Sequence, residues 1–216
     1  MRDLSALPKA HLHLHFTGSM RPQTLADLAA ASRTRLPAPL IEADPLRVPA
    51  DHRGWFRFQR AYDAARHLVA GEGTMRRIVV EAALDDAAEG SRRLEIQVDP
   101  TSYAPSVGGI TPALEIILDA AARATELTGV EVAVIVAASR TRHPLDARAL
   151  ARLAARYAGE GPGTVVGFGL SNDERAGLTR SWGPAFRIAR RAGLASLPHG
   201  GELLGPEHVR DVVAEL

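Results

Sequence analysis

The chain has 216 residues, 46% hydrophobic and 24% charged, a composition that excludes disordered, fibrous and collagen-like classes. Its 26 lysines and arginines balance 25 aspartates and glutamates, and a net charge of +1 supplies no field for nucleic acid or an anionic membrane. Zero cysteines exclude disulfides and thiolate chemistry, and no apolar run nears the roughly 18–20 residues of a spanning helix, so one cytoplasmic domain over residues 1–216 is expected.

Ala10–His15 (AHLHLH) alternates apolar and polar residues and reads as a strand. Pro22–Ser32 opens on proline and repeats apolar residues at helical spacing. Residues 33–51, rich in proline, read as a loop. Trp55–Val69 and Thr74–Glu89 read as helices, the second stopped by Gly90. Leu94–Val98 is a strand ended by Asp99-Pro100, Thr101–Gly109 a loop and Thr111–Leu127 a helix. Val132–Ala137 is an apolar strand of the buried type, followed by a loop around His143-Pro144 and a helix over Leu145–Ala158. Thr164–Leu170 is the fourth strand, with a helix near Trp182–Arg191. Leu194–Leu197 is the fifth, and a last helix starts near Pro206. This alternation predicts parallel βα units, either in an open doubly wound sheet or in part of a (β/α)8 barrel. No glycine-rich phosphate loop follows the first strand, which disfavours dinucleotide binding. In both layouts the site lies at the C-terminal ends of the strands.

Two motifs fall there. On a regular strand His11, His13 and His15 project from one face, and neighbouring imidazoles on one face can converge on a metal ion. The bland alternative, a half-exposed strand whose polar face happens to be histidine, gives three packed imidazoles little structural reason. His199-Gly200-Gly201-Glu202 follows the fifth strand, and its glycines let the backbone approach a ligand closely, with Gly201 among the expected substrate contacts. The bland alternative there is a glycine loop with a capping glutamate. Taken together, the motifs point to a mononuclear metal hydrolase with His13, His15 and His199 as ligands and Glu202 as acid/base. His52, His67, His143 and His208 are expected at the surface. Asp173-Glu174, after the fourth strand, is either functional or a cap of the next helix, with the cap favoured, and Asp99 is placed in the same way. Trp55, Phe56 and Phe58 are either core or an apolar lid.

Residues 7–22 (LPKAHLHLHFTGSMRP) resemble the opening of the adenosine deaminase family, P-K-x-E-L-H-x-H-[LF]-[DE]-G-[AS]-x-R-P. Pro198–Glu202 resembles its H-[AG]-G-E motif, and Val165–Glu174 (VVGFGLSNDE) its V-V-G-[IF]-D-L-x-G-[DE]-E segment. The resemblance runs the length of the chain. It implies a (β/α)8 TIM-type barrel of the metal-dependent hydrolases with one Zn2+ held by His13, His15 and His199. Glu202 would protonate purine N1 while zinc-activated water adds to C6 and ammonia leaves. His11 replaces the family's glutamate and is expected at the rim, not as a ligand.

The resemblance also implies departures. The family's sixth strand carries a catalytic histidine and its eighth a pair of aspartates, which these 216 residues do not include. The expectation is therefore an incomplete barrel of about the first five βα units. Alone, it should bind zinc weakly, deaminate negligibly and be prone to association. Thr17 stands where the family has an acidic residue for the ribose 5′-hydroxyl. Asn172 stands where it has the glycine whose N–H meets purine N3. Both departures point to a 5′-modified 6-aminopurine nucleoside, such as 6-aminodeoxyfutalosine, beside adenosine. The expected partner is a small-molecule purine nucleoside, with no nucleic acid and no membrane; oligomeric state is not set by the sequence. Alternatives are another metal-dependent barrel hydrolase and an inactive truncated chain acting as a binding partner. Lys9 is the sole lysine, which disfavours a binuclear site bridged by lysine.

Overall fold

The computed structural model describes residues 7–41 and 52–216. Lys9–His15 (β1), Ser91–Val98 (β2), Glu131–Ser139 (β3), Val165–Ser171 (β4) and Ala195–Pro198 (β5) form one parallel sheet in the order β1-β2-β3-β4-β5. A doubly wound sheet reverses its strand order at a switch point, whereas a barrel adds strands consecutively. The observed order is that of an incomplete (β/α)8 barrel.

The helices are α1 (Pro22–Ala31), α2 (His52–His67), α3 (Gly71–Ala88), α4 (Ala104–Val107), α5 (Ile110–Thr128), α6 (Pro144–Arg156), α7 (Gly183–Arg191) and α8 (Pro206–Glu215). On α5, Ala113, Leu114, Ile117, Ala121 and Ala124 recur at three- and four-residue spacing and are all buried. That stripe meets the outward side chains of the sheet. Leu94, Ile96 and Val98 of β2 join Val132, Val134 and Val136 of β3 and Phe168 of β4 in one core beneath α3, α5, α6 and α7. Gly129, left-handed at φ 73°, ends α5 and returns the chain to β3.

The opposite, inward face positions the site, and β4 keeps it open with glycines. A Cβ on Gly167 would lie 2.6 Å from Leu197 Cδ1, and one on Gly169 would lie 2.7 Å from Gln97 Oε1. Any larger residue there would collide with side chains facing it from β2 and β5.

Strict alternation on β1 is corrected by the structure. Between the pairs His11–Leu94 and Leu14–Ile96, β1 advances three residues while β2 advances two, so β1 holds one extra residue. His13 takes up the bulge at φ 70°, a left-handed conformation that costs a non-glycine residue on the order of 1–3 kcal/mol. The three imidazoles therefore do not share a face. His11 turns towards the helices and pairs with Asp86 of α3 (Nδ1 to Oδ1, 2.9 Å), while His13 and His15 face inward.

Other expectations change as well. Thr101–Gly109 is not a plain loop: a 3-10 turn, Pro100–Ser102, and α4 lie within or beside it. A 3-10 turn over Ala38–Leu40 interrupts the loop expected at 33–51, whose residues 42–51 lie outside those described. His208 is buried at 8% exposure, because α8 folds back against the loop after β4, whereas His67 and His143 are exposed. The side chain of His52 lies outside those described. Among the described residues no helix is long and apolar enough to cross a membrane.

Phe168 is fully buried and meets Phe186 of α7 edge-on, ring centroids 5.1 Å apart. Phe168→Ala is expected to lower stability by roughly 3–5 kcal/mol, through lost transfer energy and the cavity left behind. Urea denaturation at constant m-value checks this.

Candidate metal centre

The sheet curls so that the ends of its two outer strands meet. His15 pairs with Gln97 on β2, and His199 follows β5 with its N–H donating to the Leu170 carbonyl at 2.8 Å. One nitrogen from each of His13, His15 and His199 lies within 4.8 Å of the others. Nε2 of His13 and Nε2 of His199 are 2.8 Å apart. The Gln97 amide donates to His15 Nε2 at 3.2 Å and reaches to 3.5 Å from His199 Nε2.

The tautomer of His199 follows from its other nitrogen. Nδ1 donates to Oε1 of Glu202 at 2.6 Å, which leaves a lone pair on Nε2, directed at His13. Two imidazole nitrogens facing at 2.8 Å need a shared proton or a cation between them. The donor set, three nitrogens held by their neighbours, suits a zinc-type ion with a further position left open.

Burial enforces neutrality here. The His15 pKa is pushed down to about 4, first by burial and then by the neighbouring His199 and His13. Burial and His199 also lower that of His13. Hydrogen bonding from His199 holds the Glu202 carboxyl below its ordinary value.

A cavity of about 310 Å³ opens in front of His15 and His199, bounded also by Gln97, Asn172, Glu202 and Tyr62. Trp55 and Phe58 of α2 line it, at the cavity wall and not in the buried core; Phe56 is 54% exposed and carries Arg175 over its ring. Asn172 sits at φ 71°, a conformation asparagine and glycine tolerate best, and its amide donates to Ser139 Oγ at 2.7 Å.

Two expected substrate contacts, Thr17 and Gly201, lie off the cavity wall. Thr17 is 2% exposed, its hydroxyl 2.6 Å from that of Tyr103, and it is not on the cavity wall. Gly201 is also off the wall: at φ 82° it turns its N–H to Glu174, and a Cβ would meet Val209 at 2.5 Å. His13 stands behind His199 and lines a different cavity, against β5 and α8. Asp99 caps the turn Pro100–Ser102 by accepting from the Thr101 N–H, and burial raises its pKa. Asp173 accepts from the Arg175 N–H, as a cap does, but Glu174 instead binds the loop carrying His199. Gln97 was missed by motif reading. Its signal was parity, since it alternates with the apolar Leu94, Ile96 and Val98 on β2 and so faces inward.

The family model described as adenosine deaminase matches residues 8–216. The chain belongs to the adenosine deaminase family. A Streptomyces virginiae relative named "Putative adenosine/adenine deaminase" is 59% identical over 216 residues, covering all of this chain and 63% of the relative. The aminodeoxyfutalosine deaminase of Acidothermus cellulolyticus is 30% identical over 200 residues, 93% of this chain and 55% of that protein. Among solved structures, an adenine deaminase from Arthrobacter aurescens superposes with a TM-score of 0.78 at 25% identity, over 97% of this chain and 62% of that one. An amidohydrolase from Burkholderia ambifaria, solved with bound Zn, gives 0.75 at 25% identity over 91% of this chain and 53% of that one. The chain thus spans a little under two thirds of the Streptomyces relative and less of the others.

The depressed pKa of His15 sets a pH dependence with a definite sign. A histidine whose folded value, about 4, lies below its ordinary 6.5 stabilises the fold above the higher value, and that contribution is lost as pH falls towards the lower. In the presence of chelator, stability should drop by roughly 1–3 kcal/mol between pH 6.5 and 4. The drop should shrink in His15→Asn. Urea midpoints across that range check it.

Proposed function

We propose that this chain supplies the metal-binding part of a zinc-dependent hydrolase that deaminates a 6-aminopurine nucleoside: adenosine, or one modified at the 5′ position such as 6-aminodeoxyfutalosine. The observation that carries this reading is the meeting of His13, His15 and His199 at the edge of a cavity with an apolar wall, with Glu202 beside them. Family membership supports the reaction class, and the names of the relatives support a purine substrate.

His13, His15 and His199 would hold the ion, and the neutral state that burial imposes on His15 keeps its lone pair available at working pH. A zinc-type ion supplies Lewis acidity that makes water a nucleophile near neutral pH. Gln97 stands beside the cluster, its amide 3.2 Å from His15 Nε2 and 3.5 Å from His199 Nε2, where it would yield those lone pairs to the ion. Glu202 gives one oxygen to His199 and keeps the other for the purine, where a carboxyl holding a proton at N1 drains charge from the ring as C6 is attacked. The Trp55 and Phe58 wall offers the flat base an apolar face and excludes water. Thr17 stands off the cavity wall and bonds Tyr103, so the family's acid for a ribose 5′-hydroxyl is absent at that position, which favours a 5′-substituted nucleoside.

The test is ammonia release from adenine, adenosine and 5′-substituted adenosines, with zinc content, on this chain and on one carrying the complete barrel. Glu202→Gln in the complete barrel is expected to retain zinc and lose turnover by roughly 10²–10⁴-fold. Loss of zinc with turnover per bound metal unchanged would reverse the assignment. His199→Ala is expected to lose the metal itself, read by atomic absorption after dialysis.

A further inference from the structure

Behind the histidine cluster lies a set of buried polar groups that the proposed chemistry does not use. Glu174, just past β4, is 3% exposed. Its Oε2 accepts from the N–H of Gly201 at 2.7 Å, and its Oε1 accepts from the N–H groups of Leu203 and Leu204. His208 of α8, also buried, brings Nε2 to 3.4 Å from Oε2. Arg140, just past β3, is 2% exposed; Nη2 donates to the His199 carbonyl at 3.1 Å, and the guanidinium lies 5.6 Å from the Trp182 ring centroid.

A buried carboxylate is costly unless hydrogen-bonded, and so are unpaired backbone N–H groups in a turn. Here each satisfies the other. The three amides precede α8, which begins at Pro206, so the carboxylate is not capping that helix. It gathers the loop of residues 199–204 into one conformation, and the left-handed Gly201 makes this possible by aiming its N–H at Oε2. A loop tie of this kind is ordinary. What distinguishes it is its position, because the tied segment carries His199 and Glu202 on either side of Gly201. Arg140 holds the carbonyl of His199 itself. Any rotation of the loop would swing both His199 Nε2 and the Glu202 carboxylate.

We propose that Glu174 and Arg140 are positioning residues that fix the direction of His199 and Glu202, so that metal affinity and coordination depend on two buried side chains that touch neither metal nor substrate. The proposal rests on the reading of His199 as a metal ligand. Truncating a neighbour that orients a ligand typically weakens metal affinity by about 10–100-fold.

The experiment uses cobalt(II) as probe, with its affinity measured by competition against a chromophoric chelator and its d–d absorption recorded at saturation. Backbone hydrogen exchange is followed in the same samples. Glu174→Gln replaces one acceptor oxygen with an amide that faces the loop N–H groups. It is expected to weaken cobalt binding about 10–100-fold. It should also alter the d–d bands and speed exchange at Gly201, Leu203 and Leu204, with β2 and β3 unchanged. Glu174→Asp should restore part of the affinity. Arg140→Lys, which retains charge and loses the fork, should shift the bands in the same direction and serves if Glu174→Gln does not fold. His199→Ala separates the two readings, since native-like cobalt binding in that variant would defeat the metal assignment itself. If His199→Ala loses cobalt while Glu174→Gln and Arg140→Lys keep native affinity and bands, the positioning role is overturned. Exchange accelerated equally across all strands would overturn it too, by showing a general loss of stability.

Discussion

The curvature of a five-stranded parallel sheet is what brings His13 and His15 into reach of His199. Those residues sit at the two outer strands, and in a flat sheet they would stand more than a dozen ångströms apart, at the roughly 4.8 Å spacing of adjacent strands. Curling needs an inner face with little volume on its central strands. Gly167 and Gly169 provide that on β4, and Ala133 and Ala137 on β3. Most of the large apolar side chains, by contrast, lie on the outer face beneath the helices, where Leu94, Val134 and Phe168 fill the core, while Ile135 is the large residue that β3 turns inward. The site thus depends on an asymmetry of size between the two faces.

A local distortion completes what curvature begins. A regular β1 would have sent His11, His13 and His15 inward together. The bulge at His13 releases His11 to Asp86 and leaves two imidazoles at the centre. Conformational strain in a histidine with positive φ persists only where surrounding contacts hold it, and here the contact is His199 across 2.8 Å. The opposite side is built from a more compliant piece of chain, a glycine loop made definite by Glu174 and Arg140. Two of the clustered imidazoles are therefore set by strand geometry and the third by buried polar contacts.

The cavity shows a similar division of labour. Its polar groups come from strand ends and the loops just past them: His15, Gln97, Asn172, His199 and Glu202. Its apolar wall comes from α2, which belongs to no βα repeat of the barrel and is inserted between β1 and β2. The polar groups are thus placed at strand ends and the loops tied to them, and the apolar wall on an added helix. Tyr62 and Tyr103 fill the corner beside Thr17, so the absence of an acid at that position is accompanied by two phenolic groups at the wall.

By itself the sequence determined the order and type of nearly every element, because periodicity two and periodicity 3.6 are local properties and the turn residues punctuate them clearly. It also identified His13, His15, His199 and Glu202 as belonging together, since motif spacing records which residue types share a strand end. Alternation left an open sheet and a barrel both possible; the family resemblance pointed to the barrel and the strand order showed it, because strand order is a long-range property that alternation does not encode. The tertiary structure alone revealed the bulge that turns His11 away, since one extra residue is visible only against its partner strand. It alone buried His208 and gave Glu174 its three amides. A residue's burial depends on what folds over it, and for Glu174 that is a loop some 30 residues further along the chain.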